Sequence, residues 1–279
     1  MSDLTTRARR TSPLACLIAV VGCASAGIAP AQQDTRRPPA PPADSSVTID
    51  GRVGLASLIA LGDGHLQQVA DFLEVVAASD AGRSADWQRI RGPLADVARH
   101  SVPAVLWFAL PDGSYWTADG ERATGNLASR AYFPTALAGR RVIGDLVVSR
   151  ATNKSVAIVA VPLRGADGAV RGVLGASVYL DSLSLRIARE MDLPPHVIFY
   201  SIDAQPLGGL NGNVSLIFAE PLKLGADLSR AIRQMMATER GVVSYEFLNT
   251  YRTMLYRKSA VTGWWYAFGV AREVSGAGQ

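Results

Sequence analysis

The stretch AIVAVPLRGADGAVRGVLGASVYL, residues 157–180, decides the fold class. It contains two apolar runs on either side of GADG, residues 165–168, where small and turn-favouring residues replace the apolar ones. Two such runs joined by a short turn with Gly and Asp are typical of a β-hairpin. The sequence therefore predicts strands over residues 155–163 and 170–180, with a third strand over residues 142–149 just before them.

The elements around this hairpin fall into two blocks with the same order. In the first block, a hairpin around PDG (residues 111–113) and a short helix precede the three strands. The second block is predicted as a strand, a helix and three strands over residues 196–202, 228–238, 242–248, 251–258 and 264–270. The repeated order indicates a duplicated α+β module, and the lack of strict strand–helix alternation argues against a doubly wound nucleotide-binding fold. We expect Trp264 to be buried in the core of the second module.

A long amphipathic helix is predicted before the first block. The helical pattern starts at Val53, and apolar residues recur every three or four positions from Leu55 to Val76 and form one stripe. Gly62 and Gly64 weaken this prediction, because each costs about 1 kcal/mol in a helix relative to Ala. A second helix is predicted over residues 86–100.

Residues 1–22 have the features of a signal peptide, with three arginines at positions 7–10 followed by a short apolar stretch. The sequence VVGC that ends at Cys23 resembles a bacterial lipobox, which predicts cleavage before Cys23 and lipidation of its thiol. Two alternatives are cleavage after Ala31, which would release a soluble periplasmic or secreted protein, and an uncleaved anchor. The Pro-rich residues 23–48 are expected to form a semi-rigid tether.

Charge and cysteine content exclude several classes of function. Of the formal net charge of +4, half belongs to the first 22 residues, so the remaining chain is nearly neutral and no nucleic-acid partner is expected. Both cysteines, Cys16 and Cys23, precede the predicted modules, which therefore have no disulfide and no thiol nucleophile. The three histidines are isolated in sequence, and no hydrolase or phosphate-binding motif occurs. We expect no enzyme activity, no metal and no cofactor.

The ordered set of elements resembles the double Cache extracytoplasmic sensor domains of bacteria. The matching stretches are LWFALPDGSY (106–115), LASRAYFPTAL (127–137), VIGDLVVSR (142–150), residues 157–180 and residues 241–269. The resemblance covers residues 52–272. It implies an α+β fold with a long N-terminal helix over residues 49–82 and two PAS-like antiparallel-sheet modules. The membrane-distal module would span residues 83–192 and the membrane-proximal module residues 193–272.

The same resemblance implies a ligand site in the distal module. In the amino-acid-binding branch of the family, an Arg followed two residues later by an aromatic residue holds the ligand carboxylate, and Arg130 and Tyr132 match this pair. A guanidinium group suits the role because it donates two parallel hydrogen bonds to a carboxylate. This sequence departs from the family pattern at two positions. Gly125 stands where the family has a Tyr, five residues before the Arg, and Ser177 stands where the family has the Asp that holds the ligand amine. The implied ligand is therefore a carboxylate without an amine, another small anion, or none.

Two further residues complete the predicted ligand-binding set. Trp116 lies on the first hairpin together with Trp107 and Tyr115, and strand alternation places it on the face opposite Tyr115. Asp145 lies on the strand after Arg130 and would either face the pocket or form a salt bridge.

Taken together, these features predict a stand-alone extracytoplasmic sensor or binding protein for a carboxylate-bearing or other small anionic ligand. We expect it to be periplasmic and held at the membrane by a lipid anchor. Because only nine residues follow Val270, we expect a separate membrane-bound signalling partner to read the ligand-bound state. The alternative is an envelope structural or interaction lipoprotein that keeps the fold but has a degenerate pocket.

Overall fold

The computed structural model describes residues 50–273, apart from residues 121 and 151. The predicted signal peptide (1–22), the lipidation site at Cys23 and the rest of the predicted tether lie outside the described residues. Within residues 50–273, no helix combines the length and the apolar character needed to cross a membrane.

The described chain begins with the long helix α1 (Gly51–Ala78), which runs unbroken through Gly62 and Gly64. The Asp50 side chain caps it by accepting a hydrogen bond from the Arg52 amide at 2.9 Å. Its buried face is the predicted apolar stripe, with Leu55, Leu58, Ile59, Leu66, Val69, Leu73 and Val76. A single turn, α2 (Asp80–Arg83), and the helix α3 (Trp87–His100) follow.

The first sheet has six antiparallel strands. They are β1 (Ala104–Ala109), β2 (Ser114–Thr117), β3 (Arg122–Asn126), β4 (Val142–Val148), β5 (Ser155–Arg164) and β6 (Val170–Tyr179), in the order β3-β2-β1-β6-β5-β4. The hairpin predicted from residues 157–180 is β5–β6, in which Ala157 pairs with Val178. A short helix, α4 (Phe133–Leu137), lies between β3 and β4.

The second sheet has five antiparallel strands and follows the helix α5 (Leu180–Glu190). Its strands are β7 (Val197–Ile202), β8 (Gly208–Asn211), β9 (Arg240–Phe247), β10 (Thr250–Lys258) and β11 (Trp265–Glu273), in the order β8-β7-β11-β10-β9. Two 3-10 turns (Val214–Leu216 and Pro221–Lys223) and the helix α6 (Ala226–Met236) connect β8 to β9. The predicted fold class, α+β with a long N-terminal helix and two antiparallel sheets, is confirmed.

Each sheet has an inner face towards α1 and an outer face that carries its own small core. The inner faces share one apolar core with α1, to which the first sheet contributes Phe108 and Leu174 and the second contributes Phe199 and Tyr266. Trp264 also belongs to this shared core and is 1% exposed. The predicted burial of Trp264 is confirmed, but the core that buries it is shared with α1 and the first sheet and does not belong to the second module alone.

A buried carboxylate fastens α1 to the second sheet. Asp63 projects from the buried face of the helix and accepts hydrogen bonds from the Tyr266 hydroxyl at 2.9 Å and the Ser259 hydroxyl at 2.7 Å. The Thr262 hydroxyl donates a third, at 3.3 Å. Such hydrogen bonds compensate the desolvation of a buried charge, which is otherwise expensive. The first sheet is joined to the same region, because the Trp264 indole donates to the Gly144 carbonyl oxygen at 2.9 Å.

Candidate functional site

A small cavity lies on the outer face of the first sheet, under the loop between β3 and α4; we call it the first-sheet cavity. Its free volume is about 20 Å³, which is room for roughly one water molecule. Its polar lining residues are Trp107, Tyr115, Arg130, Tyr132, Arg150 and Ser177, with the hydroxyls of Thr117 and Ser149. Arg130, Tyr132 and Ser177, three of the residues predicted for a ligand site, are thus brought together here.

Two arginines brace the loop that covers this cavity. Arg130, half-buried on that loop, donates from Nη2 to the Val148 carbonyl oxygen at the end of β4, at 2.8 Å. Arg150 donates from Nη2 to the Ser129 hydroxyl at 3.0 Å and from Nη1 to the Asn126 carbonyl oxygen. Neither guanidinium forms an ion pair with a described acidic residue, so both retain positive charge without a counter-ion at the cavity.

Tyr115 and Tyr132 supply the two phenol groups of the cavity. The Tyr132 side chain is buried and packs against the Trp107 ring, with ring centroids 6.2 Å apart. Burial raises the pKa of Tyr132 well above its ordinary value, although the Arg130 charge works in the opposite direction. Tyr132 therefore stays protonated at neutral pH. A Cβ on Gly125 would lie 3.5 Å from the Tyr115 hydroxyl, so the Tyr115 phenol occupies space next to the position where the family resemblance expects a Tyr.

Ser177 lies on β6 in the floor of the cavity. Its hydroxyl accepts a hydrogen bond from the Trp107 indole at 3.3 Å, and the residue is buried. Both side chains are on the outer face, as is Tyr115. Because no carboxylate is among the described lining residues, the cavity presents hydrogen-bond donors and positive charge.

Trp116, which was predicted for the ligand site, does not line the first-sheet cavity. Trp116 does lie on the face opposite Tyr115, as strand alternation requires, but that is the inner face. Its ring stacks on Phe108 with centroids 5.9 Å apart and on Trp87 of α3 at 6.3 Å. Trp116 is consequently part of the packing between the first sheet and α3.

Asp145 is on the outer face of β4 but is not among the residues that line the first-sheet cavity. A β-bulge at Gly144, with φ of +95°, shifts the register between Ile143 and Asp145 and pairs Asp145 with Ile158. Desolvation and the nearby Asp203 carboxylate raise the pKa of Asp145. Asp145 therefore lies beside the cavity without lining it, and within the described residues it is near Asp203 and forms no ion pair.

A second cavity, on the outer face of the second sheet, has no counterpart in the sequence-based prediction; we call it the second-sheet cavity. It has a free volume of about 40 Å³ beneath the 3-10 turns and α6. A recess of about 330 Å³ adjoins it and shares Tyr200, Asn211, Leu216 and Arg252 with it. No group of His, Cys, Asp or Glu side chains suited to a metal ion occurs in the described part of the chain.

Solved structures with the same architecture are sensor domains. The ligand-binding domain of the amino acid chemoreceptor PctB of Pseudomonas aeruginosa, in complex with L-Arg, matches with a TM-score of 0.62 and 14% identity, covering 80% of this chain and 94% of that chain. The chain has the fold of chemoreceptor ligand-binding domains. The resemblance to double Cache domains is confirmed at the level of the fold.

Two further structures show the breadth of this likeness. The ligand-binding domain of the Pseudomonas fluorescens chemoreceptor CtaA, in complex with L-alanine, has a TM-score of 0.59 and 13% identity, covering 80% of this chain and 94% of that chain. The extracellular domain of rpHK1S-Z16, described as a histidine kinase, has a TM-score of 0.63 and 16% identity, covering 79% and 92%. No protein-family model matches the chain, and no curated protein matches it significantly.

Proposed function

We propose that this protein is an extracytoplasmic small-molecule sensor or binding protein whose first-sheet cavity takes a small carboxylate or another small anion. The observation that carries the proposal is the composition of the lining. Arg130 and Arg150 converge with the phenols of Tyr115 and Tyr132, and no described lining residue is a carboxylate. Charge-assisted hydrogen bonds from guanidinium groups are roughly twice as strong as neutral ones, so an anion is the ligand that this lining stabilises best.

Ligand entry requires the loop over the cavity to move. A free volume of about 20 Å³ admits one water molecule but no organic acid. Arg130 would release the Val148 carbonyl oxygen, to which it now donates, and turn its Nη groups to the ligand. Binding would thereby exchange a hydrogen bond to a neutral acceptor for a stronger one to a carboxylate and change the conformation of the loop. A conformational change of this kind is what a separate membrane-bound partner would read, and we propose such a partner for signalling.

The decisive experiment is a thermal-shift screen of the protein against acetate, succinate and L-alanine, with methylammonium as the cationic comparison. A ligand that binds only the native state raises the melting temperature. Arg130→Ala should leave the fold intact and abolish the shift, and Arg130→Lys should weaken binding strongly because an ammonium group cannot form the two-pronged contact. Arg91→Ala, which removes an exposed arginine on α3, is the matched control and should bind as the wild type does.

Ser177→Asp tests whether position 177 lies next to the bound ligand. The substitution restores the acidic group that amino-acid-binding family members use for the ligand amine. It should shift preference from plain carboxylates to L-α-amino acids, read as the ratio of their dissociation constants by calorimetry. Unchanged preference would exclude Ser177 from the neighbourhood of the ligand.

One observation favours a second function, an envelope structural or interaction protein with a degenerate pocket. The bulky side chains of Trp107, Tyr115 and Tyr132 fill most of the space over the outer face of the first sheet. If the screened ligands give no shift and Arg130→Ala lowers the stability of the free protein, the arginine has a structural role and this alternative is supported.

We also propose that the protein binds its ligand without turnover. The expected observation is a ligand whose one-dimensional NMR spectrum stays unchanged during long incubation with the protein. Appearance of new resonances that depend on active protein would contradict the proposal.

Finally, we propose that the protein is periplasmic and anchored through a lipid on Cys23. Metabolic labelling with a lipid precursor should mark the wild type, and Cys23→Ser should lose the label and release the protein to the soluble fraction. A mature wild-type N-terminus at Gln32 would instead show cleavage after Ala31 and refute the lipid anchor.

A further inference from the structure

We propose that the second-sheet cavity is a second binding site, which takes a small monocarboxylate with an apolar body and holds its carboxylate with Arg252. This site is separate from the first-sheet cavity and lies on the other sheet. Its free volume of about 40 Å³ continues into the adjoining recess of about 330 Å³, a size at which ligand pockets begin. The second sheet therefore offers more room for a ligand than the first sheet does.

Arg252 is held in position at the point that both spaces share. It lies on β10 and is half-buried. Its Nε donates to the Thr250 hydroxyl at 2.9 Å, and its guanidinium carbon is 4.8 Å from the centroid of the Phe247 ring. These two contacts fix the plane of the guanidinium group, which also lies within reach of the Tyr245 hydroxyl.

The Arg252 charge has no counter-ion of its own. Across residues 50–273, without 121 and 151, Arg252 forms no ion pair with a carboxylate, whereas other arginines such as Arg186 and Arg230 do. A partly desolvated cation without a partner is unfavourable. A bound anion would remove this cost, which makes the position suited to a ligand rather than to packing.

A pair of buried phenols adds hydrogen-bond donors next to Arg252. The Tyr245 hydroxyl donates to the Tyr200 hydroxyl at 3.3 Å, so the Tyr200 proton is left for another acceptor. Burial raises the pKa of both phenols, which keeps them protonated at neutral pH. Both side chains line the cavity. Arg252 and the Tyr200 hydroxyl thus supply one cation and one neutral donor, which together suit a monocarboxylate.

Most of the remaining lining is apolar, and Ser201 and Asn211 are its other polar members. Ile202 comes from β7, Leu216 from the first 3-10 turn, and Leu228 and Ile232 from α6. An apolar ligand body of a few carbon atoms would bury its surface here at roughly 25 cal/mol per Å². Arginine side chains and two phenols also line the cavity on the outer face of the first sheet, so the two sheets share this feature.

The experiment uses 4-fluorobenzoate as the probe and follows its ¹⁹F resonance as the protein is added. The wild type should broaden the resonance, and unlabelled benzoate should reverse the broadening, whereas benzamide, which has the same shape without the charge, should not. Arg252→Gln should weaken 4-fluorobenzoate binding by about 10- to 100-fold, the effect of removing a charge-assisted contact. Arg257→Gln removes an exposed arginine from the same strand and should leave binding unchanged.

Two comparisons separate this site from the first-sheet cavity and from a folding defect. Arg130→Ala should retain 4-fluorobenzoate binding; its loss in that variant would place the probe in the first-sheet cavity and overturn the proposal. The proposal would also be overturned if Arg252→Gln bound 4-fluorobenzoate as tightly as the wild type does. The same holds if benzamide competed as well as benzoate, or if the wild type did not broaden the resonance. If Arg252→Gln lacks the wild-type circular dichroism spectrum, Tyr200→Phe is used in its place. Tyr200→Phe should bind 4-fluorobenzoate more weakly than the wild type does, and unchanged binding would overturn the proposal.

Discussion

At the scale of single residues, two carboxylates of like charge lie close enough to interact where β4 approaches the turn after β7. Desolvation raises the pKa of Asp145, and the Asp203 charge raises it further. Desolvation also raises the pKa of Asp203, although its carboxylate accepts the amide hydrogens of Gln205 and Leu207, both at 2.9 Å. Both shifts mean that the native state holds protons more tightly than the unfolded chain does.

Asp145→Asn should therefore stabilise the protein at neutral pH. Between the ordinary Asp pKa of 3.8 and the raised native value, lowering the pH protonates native Asp145 before the unfolded chain and increases the free energy of unfolding. The advantage of Asn over Asp should thus be full at neutral pH and shrink as the pH falls through that window. Because solvent screens the partly exposed carboxylate, the gain should stay below about 1 kcal/mol.

The measurement is the melting temperature of both proteins as a function of pH. Asp71→Asn, which removes an exposed carboxylate from α1, controls for the change in net charge. A pH-independent difference between Asp145→Asn and wild type would contradict the repulsion between Asp145 and Asp203.

The family resemblance indicated site residues wherever it supplied a local motif. Arg130 and Tyr132 were indicated by its Arg-x-aromatic pair, and both line the first-sheet cavity, while their contact with a ligand stays a prediction. Trp116 lies away from this cavity, because alternation shows that neighbouring residues face opposite ways but not which face meets α1. Arg252 was missed because its value as a ligand group depends on Phe247 and on tyrosines from other strands, and no sequence spacing records that convergence.

At the scale of elements, two glycines two residues apart on α1 have different roles. A Cβ on Gly62 would come within 2.7 Å of the Tyr266 hydroxyl, so the absent side chain allows the helix to approach β11 closely. Tyr266 cannot move aside freely, because it is fully buried and donates to Asp63. Gly64 points to solvent, and a Cβ there would meet no atom within 4 Å.

Alanine substitutions should therefore change stability in opposite directions. Gly64→Ala should raise the free energy of unfolding by up to about 1 kcal/mol, the difference in helix propensity. Gly62→Ala gains the same propensity but forces Tyr266 and α1 apart, and overpacking of this kind costs about 1–3 kcal/mol, so the net effect should be destabilising. Urea unfolding monitored by circular dichroism would measure both; stabilisation by Gly62→Ala would show that the contact is loose.

Elements with strong periodicity were predictable, and short polar ones were not. The β5–β6 hairpin and α1 follow from apolar patterns that span many residues. The edge strands β3 (RATGN) and β8 (GGLN) were missed, because neither sequence shows the alternation of apolar and polar residues that predicts a strand. Both strands form because the neighbouring strand offers backbone hydrogen bonds. That information lies in the sequence of the neighbouring strand and not in the edge strand itself.

At the scale of the whole described molecule, the two modules that the sequence suggests are not independent. The inner faces of both sheets and the buried face of α1 form one apolar core. Trp264, from the turn before β11, is buried in that core and hydrogen-bonded to Gly144 of β4. The repeat in the sequence revealed two sheets, whereas the sharing of one helix by both sheets could not be derived from the order of elements.

Since neither sheet can keep its inner face buried without α1, we expect the two sheets to unfold together. Native-state hydrogen exchange in increasing urea should show the most protected amides of β5 and β6 and those of β10 and β11 converging on the same free energy of opening. Asp63→Ala, which leaves the Tyr266 and Ser259 hydroxyls without their acceptor, should lower that free energy for both sheets by about 2–3 kcal/mol. If the variant lowered protection in the second sheet alone, the sheets would be separate cooperative units and the shared core would be too weak to couple them.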